Sequence, residues 1–528
     1  MVATDAECLQ ALETQRLGIV APLDARVGGL FSGPFAGASE DHPPQGGKPS
    51  AAERGPENSP PTREHGHARK QGELGSGRMA DRTRANASRK SGAPSSPPAA
   101  GSRAQPSEGP RTAPHPRADI VIVGAGAAGL MAAVWAGRAV PGRRIVVLDG
   151  ARKPGAKILI AGGGRCNVTH DHVDASAFAG SSRKAIEKVL RRFDVPQTVA
   201  FFEELGVGLE REETGKLFPT TGRARTVLDA LLRAARDAGV DILHPRRVES
   251  VTTVPRGFVV TGRWGHFDAR HLVLATGGTS VPKTGSDGHG YEIARTFRHT
   301  ITRVFPALVP LTLPKDHFIT RLSGLTVDAT LEVVSATGKR LSSFTGSTLC
   351  THFGLSGPSV LDISRFYIEA VLDDPRVGLI INWLPKHTPE TFENELLDIG
   401  HTNVSGHLGR LLPDRLAAAL CAFSNVDPKT PGHHLQRDDR KMLARAVTRL
   451  LLPITGNRGF GHAEVTAGGI PLTEIRLDTM ESRLRPGLYV CGEICDVDGR
   501  IGGFNFQWAW ASGYTAGVSV GRAEGPRS

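Results

Sequence analysis

A glycine motif near the start of the folded region is the first feature whose spacing predicts chemistry. Gly124, Gly126 and Gly129 form a GxGxxG pattern directly after the β-branched run 118–123 and just before the Ala- and Leu-rich run 130–140. Between a strand and a helix, such a loop brings backbone N–H groups at the helix N-terminus close to a pyrophosphate. The motif therefore predicts a dinucleotide-binding site.

An acidic residue completes this unit twenty residues after the last glycine. Asp149 ends a second apolar run, 143–149, where a carboxylate can accept hydrogen bonds from ribose hydroxyls. The uncharged stretch 120–137 is long enough to be considered as a membrane span. Its three glycines suit a phosphate-binding loop better, so we predict a βαβ unit and no membrane-spanning helix.

Glycine-rich turns later in the chain favour FAD over NAD as the dinucleotide. Thr276 and Gly277 follow an apolar run, as in flavoproteins that return the chain to the dinucleotide there. The predicted strand 487–491 leads through a second glycine-rich turn into a predicted helix, 506–520. The N-terminus of such a helix can polarise a flavin ring.

Three residues elsewhere are candidates for chemistry. Cys166 could be a redox thiol, but no second cysteine lies near it in the sequence, so a packing or flavin-contact role is favoured. His352 could donate a proton to a substrate, with Ser356 nearby in a glycine-rich segment; a structural loop is the alternative. The six cysteines are scattered, which argues against a disulfide scaffold, and we predict no metal site.

Composition divides the chain near residue 116. Residues 1–116 contain 15 of the 36 prolines and only two aromatic residues, Phe31 and Phe35, so we predict a disordered tail. They hold 14 of the 64 basic and 12 of the 53 acidic residues, so +9 of the net charge of +11 falls in 117–528. This charge attracts anions, but it forms no long basic run. A cytoplasmic enzyme is predicted because no signal sequence is evident.

Apolar spacing predicts the remaining elements around these motifs. We expect helices over 182–206 and 223–239, three strands near 247–253, 257–264 and 270–275, an alternating, strand-rich segment from 310 to 385, and a helical segment over 388–452.

Five further motifs give the chain a family resemblance. They are GGGRCN at 162–167, THFGLSGP at 351–358, VTAGG at 465–469, TMES at 479–482, and the segment from GEICDVDG at 492–499 to GGFNFQ at 502–507. In this order they resemble the bacterial NAD(P)/FAD-dependent oxidoreductases of the aminoacetone-oxidase type, whose relatives include a flavoprotein of bile-acid dehydroxylation. The resemblance covers 118–520.

The resemblance implies an α/β fold. It implies a Rossmann-type FAD-binding domain of the glutathione-reductase type, built from both ends of the chain, with an inserted domain that is β-barrel-like and helical. The implied boundaries are 1–116 for the tail, 117–309 for the first part of the FAD-binding domain, 310–385 for the β-rich insertion, 386–454 for its helical part and 455–528 for the C-terminal part.

The motifs and the resemblance together nominate the residues that hold FAD. Arg165 is expected to pair with phosphate, and Val248 to hold the adenine through its backbone. The full set is Gly124, Gly126, Ala127, Ala128, Gly129, Asp149, Lys157, Gly163, Gly164, Arg165, Cys166, Asn167, Val248, Thr276, Gly277, Gly492, Glu493, Asp496, Gly502, Gly503, Phe504, Asn505 and Gln507.

The expected function is FAD-dependent oxidation or reduction of a small molecule by hydride transfer at flavin N5. NAD(P)H is one expected reductant; the alternative is an oxidase, in which the substrate reduces FAD and oxygen reoxidises it. A tRNA-modifying flavoprotein and a non-catalytic FAD-binding protein are the competing hypotheses. Binding to nucleic acid is not favoured, because the basic residues occur as isolated pairs. The oligomeric state is left open.

Overall fold

The computed structural model describes residues 116–524. The predicted disordered tail, 1–116, therefore lies outside the described residues except for Pro116. The helices are α1 Ala127–Ala139, α2 Ala156–Ile160, α3 Arg183–Leu190, α4 Val195–Glu204, α5 Ala224–Asp237, α6 His289–Thr296, α7 Pro358–Asp373, α8 Pro389–Asp398, α9 Val404–Leu411, α10 Asp414–Phe423, α11 Arg437–Thr448 and α12 Phe504–Arg522.

The longest strands in the described residues are β14 in the insertion and β10 in the central sheet. They are β1 Arg117–Val123, β2 Ile145–Leu148, β3 Thr169–His170, β4 Phe178–Gly180, β5 Leu209–Arg211, β6 Lys216–Pro219, β7 Val240–Leu243, β8 Ser250–Val254, β9 Gly257–Gly262, β10 Gly265–Leu274, β11 Phe305–Ala307, β12 Leu311–Thr312, β13 Thr326–Val334, β14 Arg340–Thr351, β15 Gly354–Ser356, β16 Gly378–Asn382, β17 Leu450–Leu452, β18 Gly456–Asn457, β19 Val465–Ala467, β20 Ile475–Arg476, β21 Glu481–Ser482, β22 Leu488–Val490 and β23 Val497–Gly499.

A parallel sheet forms the centre of the first domain. Its order is β22-β10-β1-β2-β7, and β1 lies between β2 and β10 with Val121 opposite Val146 and Leu272. The strands β22, β10, β1 and β2 all end at the same edge of this sheet. Ligands of doubly wound sheets bind outside the carboxyl ends of parallel strands. The Rossmann-type fold predicted from the glycine motif is confirmed.

The C-terminal helix completes this domain by lying directly on α1. A Cβ added at Gly513 or Gly517 of α12 would come within about 2.6 Å of the carbonyl oxygen of Ala128 or Ala132. Only glycine permits such an approach, so this spacing of four residues along α12 fixes the two helices against each other. The helices α1 and α12, whose N-termini face the carboxyl edge of the parallel sheet, are therefore held against each other.

An antiparallel sheet forms the inserted domain. Its strands run in the order β17-β16-β13-β14-β15-β12-β18. The two end strands, β17 and β18, are joined by only three residues, 453–455, so the sheet curls until its ends are close. This curl agrees with the barrel-like shape that the resemblance implies.

Two element predictions were wrong in detail. The predicted helix 182–206 is two helices, α3 and α4, because Asp194 caps a new helix that has Pro196 in its first turn. The strand-rich segment 310–385 also contains α7, which begins with Pro358 directly after Gly357, whose φ is +92°. Proline fits the first turn of a helix because its missing N–H group is not needed there.

Two large apolar cores fill the described part of the chain. One is built from residues between 118 and 297 and between 470 and 520, and the other from residues between 311 and 452. The chain crosses between them on the paired strands β11 and β19. Among residues 116–524, no helix is long and apolar enough to cross a membrane; the stretch 120–137 is instead a strand, a loop and a helix.

Candidate cofactor and substrate site

A cavity of about 760 Å³ opens at the carboxyl edge of the parallel sheet. That volume lies within the range of ligand-binding clefts. The first turns of α1 and α12, the glycine loop 162–164 and the segment before β19 all contribute to its wall. Of the residues predicted to hold FAD, those lining it are Gly124, Gly126, Ala127, Ala128, Asp149, Lys157, Gly163, Arg165, Asn167, Val248, Thr276, Gly277, Gly492, Glu493, Gly502, Gly503 and Asn505.

The first turn of α1 presents backbone donors to this cavity. Gly126 is its N-cap and provides no side-chain hydrogen bond, so the first N–H groups of the helix are left for a ligand. A Cβ at Gly126 would meet no atom within 4 Å, whereas one at Gly129 would lie 1.9 Å from the carbonyl oxygen of Gly124. Gly126 thus leaves space for a pyrophosphate, and Gly129 allows the helix to pack on the loop.

Asp149 and Val248, which are predicted to contact the adenosine part of FAD, both line the cavity. The Asp149 carboxylate accepts hydrogen bonds from the backbone N–H groups of Ala125 at 2.6 Å and Ala151 at 2.7 Å. These bonds hold it at the end of β2, on the cavity wall. Arg247 is fixed nearby by an ion pair with Asp287 at 2.6 Å. The Asp149 carboxylate is thus held in place on the cavity wall, and its contact with ribose hydroxyls stays a prediction.

A polar network joins four segments of the chain, those that carry Lys157, Ser280, Thr466 and Glu493. Lys157 Nζ donates to Glu493 Oε2 at 2.6 Å and to Ser280 Oγ, and Ser280 Oγ donates to Glu493 Oε1 at 2.7 Å. The backbone N–H of Thr466 donates to the same Oε1 at 3.0 Å. Lys157 and Glu493 were predicted as separate contacts to the cofactor. The structure makes them partners that fix the middle of the cavity wall.

The GGGRCN loop presents backbone and one unpaired amide to the cavity. Gly162, Gly163 and Gly164 all have positive φ, which explains why glycine occupies all three positions. The buried Asn167 Oδ1 has no hydrogen-bond partner in the described part of the protein, and neither has the buried Ser286 Oγ on the cavity wall. Because buried polar atoms are normally paired, both positions fit a polar ligand.

Arg165 is engaged with protein groups. Its guanidinium forms an ion pair with Glu212 at 2.6 Å and lies 4.0 Å from the ring centre of Phe218. It still lines the cavity. Its expected pairing with phosphate stays a prediction that would require it to leave or share Glu212.

Six of the nominated FAD residues lie outside the cavity wall. Gly129 and Gly164 shape the backbone, and Phe504 stacks on His170 at 5.0 Å. Asp496 is buried behind the wall. Gln507 is buried and fully engaged, since it donates to the Phe193 carbonyl and accepts from Thr169 and Thr198. The sixth is Cys166. The structure therefore gives Asp496, Phe504 and Gln507 packing contacts where contacts to FAD were expected.

None of the three candidates for chemistry lines the cavity. Cys166 is fully buried, and burial raises the pKa of its thiol to about 12, so it carries no thiolate at neutral pH. His352 is exposed in the turn between β14 and β15, and Ser356 ends β15. In residues 116–524 no cluster of three or more metal-ligating side chains occurs.

Several ionisable residues on the cavity wall were not predicted from the sequence. Among them are Lys216, His462, Glu464 and Arg500. Glu464 comes directly before the VTAGG motif, which could have drawn attention to it. Lys216 lies on β6, and only the pairing of β6 with β3 brings it to the cavity. A methyl group at Gly502 would lie 3.7 Å from Lys216 Cε, so the lysine stands beside the start of α12.

Helix α7 of the insertion holds the segment that leads into α12. Asp362 accepts from the Arg500 guanidinium at 3.1 Å and from the Ile501 backbone N–H at 2.8 Å. One turn further on, Arg365 forms a buried ion pair with Asp498 at 3.1 Å. The inserted domain thereby sets the position of Gly502 and Gly503, whose backbone begins the last helix.

The residues present fit FAD. Two helices without side-chain N-caps face one cavity, glycines leave room for close approach of a ligand, and Asn167 Oδ1 and Ser286 Oγ lack partners. The positive ends of both helices favour an anionic ligand. When bound, FAD supplies two-electron chemistry by accepting or donating a hydride. The fold and the cavity define a dinucleotide-dependent oxidoreductase.

Comparison with known proteins gives the family. The family model described as HI0933-like protein Rossmann domain matches residues 118–519, and the chain belongs to this family. It is 34% identical over 403 residues to the Clostridium scindens 3-dehydro-bile acid delta(4,6)-reductase, covering 75% of this chain and 98% of that one. It is 35% identical over 401 residues to the Escherichia coli ribosomal RNA dihydrouridine synthase, covering 75% and 96%.

Similarity to solved structures is more distant. The 3-ketosteroid delta1-dehydrogenase from Sterolibacterium denitrificans is 14% identical, covers 77% of this chain and 99% of its own, and has a TM-score of 0.43. The family resemblance and the FAD-dependent oxidoreductase activity expected from the sequence motifs are confirmed by the family match and the named relatives. The protein is an FAD-dependent oxidoreductase.

Proposed function

We propose that this enzyme reduces a carbon–carbon double bond conjugated to a carbonyl group, in a small organic substrate, with NAD(P)H as the reductant of FAD. The proposal rests on ionisable residues of the cavity wall, among them Lys216, His462, Glu464 and Arg500. Lys216 stands beside Gly502 at the start of α12 and is close enough to Glu464 to lower its pKa. This part of the wall offers positive charge and a carboxyl group to a second ligand.

The positive groups of this wall suit the charge that such a reduction develops. Hydride addition to a conjugated double bond moves an electron pair onto the carbonyl oxygen. Within 116–524 Lys216 has no ion-pair partner, and α12 begins beside it without a side-chain cap. Fixed donors aimed at developing negative charge lower the barrier of a reaction. Lys216 would therefore stabilise the oxygen or hold the ring system that bears it.

The named relatives support the same bond type. A 3-dehydro-bile acid with delta(4,6) double bonds has a ketone conjugated to those bonds, and its reductase adds hydrogen across them. Dihydrouridine is uridine with one ring double bond, next to a carbonyl, reduced. Both names describe hydrogen addition to a carbonyl-conjugated double bond, although the molecules differ greatly in size and polarity.

The cavity would serve the pyridine nucleotide as well as the substrate. The sequence has one GxGxxG motif after a strand and none elsewhere. NAD(P)H would therefore reach FAD through the cavity mouth, leave after hydride transfer, and be replaced by the substrate. An oxidase, in which oxygen reoxidises FAD, is the competing chemistry.

The test uses the full-length protein under anaerobic conditions. We expect a yellow protein that bleaches on addition of NADPH or NADH and regains its colour on addition of a 3-oxo-Δ4 steroid or cyclohexenone, with loss of the enone absorbance. A matched saturated ketone should leave the bleached protein unchanged. Colour returning only with oxygen, and with none of the enones, would overturn the proposal in favour of an oxidase.

The same chemistry on a uracil ring in RNA is the second candidate. Relatives from Escherichia coli and Haemophilus influenzae carry the name ribosomal RNA dihydrouridine synthase, the latter at 32% identity over 98% of its length. The excess positive charge of 117–528 also suits an anionic polymer. Ribosomal RNA lacking dihydrouridine, incubated with the reduced enzyme at two salt concentrations, distinguishes the cases: salt-sensitive formation of dihydrouridine would favour RNA.

A further inference from the structure

We infer that Glu464 is the acid that gives the proton to the reduced double bond, an assignment that rests on the proposed function. Four carboxylates line the cavity: Asp149, Asp287, Glu464 and Glu493. The other three accept hydrogen bonds or form ion pairs with protein groups. Within the described part of the chain Glu464 is the one whose carboxyl group has no such partner, so it is left for a ligand.

The backbone of Glu464 is held on both sides, so its side chain enters the cavity from a fixed point. Its N–H donates to the Leu308 carbonyl at 3.2 Å, and the next residue, Val465, pairs with Ala307 of β11. Two residues on, Thr466 Oγ1 accepts from the backbone N–H groups of Thr279 and Ser280 at 2.8 and 2.9 Å. Such support orients an acid without using its carboxyl group.

The surroundings of Glu464 favour its protonated form. Glu464 is solvent-accessible where it lines the cavity, and partial desolvation of its carboxyl group by the surrounding protein raises its pKa above the usual value. Lys157 and Lys216 oppose this rise, and Asp362 adds to it. A ligand that fills the cavity would displace water and raise the pKa of Glu464 further. A carboxyl group that keeps its proton near neutral pH can act as a general acid.

The proton balance of the step follows from the substrate. A hydride, with its electron pair, adds to the carbon β to the carbonyl, and the π electrons move to carbon α and the oxygen as an enolate. Glu464 then gives its proton to carbon α, and the O–H bond breaks as the C–H bond forms. The substrate has gained two hydrogen atoms, NAD(P)H has been oxidised, and the Glu464 carboxylate regains a proton from water.

The test variant is Glu464→Gln in the full-length protein, with Glu213→Gln as control, because Glu213 is exposed in the turn between β5 and β6 and lies off the cavity wall. We expect Glu464→Gln to bind FAD and to be reduced by NAD(P)H like the wild type. Enone reduction should fall about 10²-fold, the loss typical of a missing general acid. The decline of the wild-type rate at alkaline pH should disappear.

Two further readouts separate an acid from a structural residue. In the infrared spectrum of the oxidised protein without substrate, a protonated-carboxyl band should titrate above the usual range for glutamate and be absent from Glu464→Gln. If Glu464→Gln fails to bind FAD, Glu464→Ala with added formate gives the second test, since a small acid should restore enone reduction.

The outcomes distinguish this inference from the proposed function. A wild-type enzyme that reduces no enone overturns both. An active wild type whose Glu464→Gln variant keeps the same rate and the same pH profile overturns the role of Glu464 alone. The role of Glu464 is also overturned if formate fails to restore enone reduction by an inactive Glu464→Ala protein that has bound FAD.

Discussion

The FAD-binding domain and the inserted domain meet at the same cavity but build its wall by different means. The first contributes backbone: the missing side chain of Gly126 leaves space for a ligand, and those of Gly124, Gly129 and Gly503 allow close approach of neighbouring backbone. The second contributes fixed charges, since Asp362 and Arg365 of α7 hold the segment 498–501 in place. The cofactor end therefore depends on the absence of side chains, and the substrate end on their presence.

This difference has a consequence for how each region tolerates change. A backbone position with positive φ and a close neighbour accepts one residue type only. A buried ion pair accepts replacement of both partners better than loss of one. Substitutions at the glycines of the FAD-binding domain should therefore destabilise through steric clashes. Substitutions at the ion pairs of the inserted domain should destabilise by leaving a buried charge without its partner.

The largest effect is expected from the glycine loop, where two neighbouring glycines should separate folding from binding. Gly124→Ala places a Cβ 2.4 Å from the Ala275 carbonyl oxygen at a φ of +104°, and should cost roughly 2–5 kcal/mol of stability. Gly126→Ala meets no atom within 4 Å, so the protein should fold while FAD binding weakens at least about tenfold. Urea denaturation and flavin absorbance measure the two effects; equal stability of both variants would contradict this account.

Arg365→Met tests the charges of the inserted domain. It leaves the buried Asp498 carboxylate without its partner and should cost about 3–5 kcal/mol near neutral pH. Burial raises the pKa of Asp498 to about 6, and the positive charge of Arg365 limits this rise. Removing Arg365 therefore raises the pKa of Asp498 further. The folded state then binds the extra proton, and stability falls as pH rises through the folded-state pKa. Urea denaturation of the variant should therefore show less destabilisation at pH 5 than at pH 8.

The control for this experiment is Arg376→Met, which removes the exposed partner of Asp374 at the end of α7. Exposed ion pairs contribute little, so its stability should match the wild type at both pH values. An Arg365→Met protein whose destabilisation is independent of pH would show that packing, and not the stranded carboxylate, carries the effect.

A smaller effect is expected at Cys166 in the FAD-binding domain. Because its thiol is buried and protonated, Cys166→Ala should keep the rate of flavin reduction by NAD(P)H and lose about 1 kcal/mol of stability. The native wild type should also resist iodoacetamide at this position, as followed by mass spectrometry. Loss of flavin reduction in Cys166→Ala would restore the redox-thiol hypothesis.

The smallest effect is expected at His352 in the inserted domain. The side chain lies in an exposed hairpin turn off the cavity wall, so His352→Ala should change stability by less than about 0.5 kcal/mol and leave the rate of enone reduction nearly unchanged. Steady-state kinetics check this directly. A large fall in kcat would mean that the turn closes over bound substrate, and would move His352 into the site.

Much of the cofactor end could be predicted because its signals are local. The strand, the glycine loop, the helix and Asp149 lie within about thirty residues, and their spacing alone implies the geometry that binds a pyrophosphate. The family resemblance extended the predicted cofactor site to residues 162–167 and to the turn before α12. The motif does not fix the direction of a side chain: Gln507 lies in the motif, but α12 turns its side chain into the core.

The substrate end could not be predicted, because its residues are brought together only by pairings between distant segments. Lys216 on β6, Glu464 before β19 and Arg500 before α12 share no periodicity in the sequence. The pairing of β6 with β3, the pairing of β11 with β19 and the ion pair of Arg500 with Asp362 on α7 place them on the wall of one cavity.

The sequence by itself determined the fold class, the dinucleotide loop and the family, because glycines, β-branched runs and acids act over short distances through backbone geometry. Tertiary structure alone decided which ionisable groups face the ligand. Burial, hydrogen bonding and pKa depend on what surrounds a side chain, and for Lys216, Cys166 and Glu464 those surroundings come from segments up to hundreds of residues away.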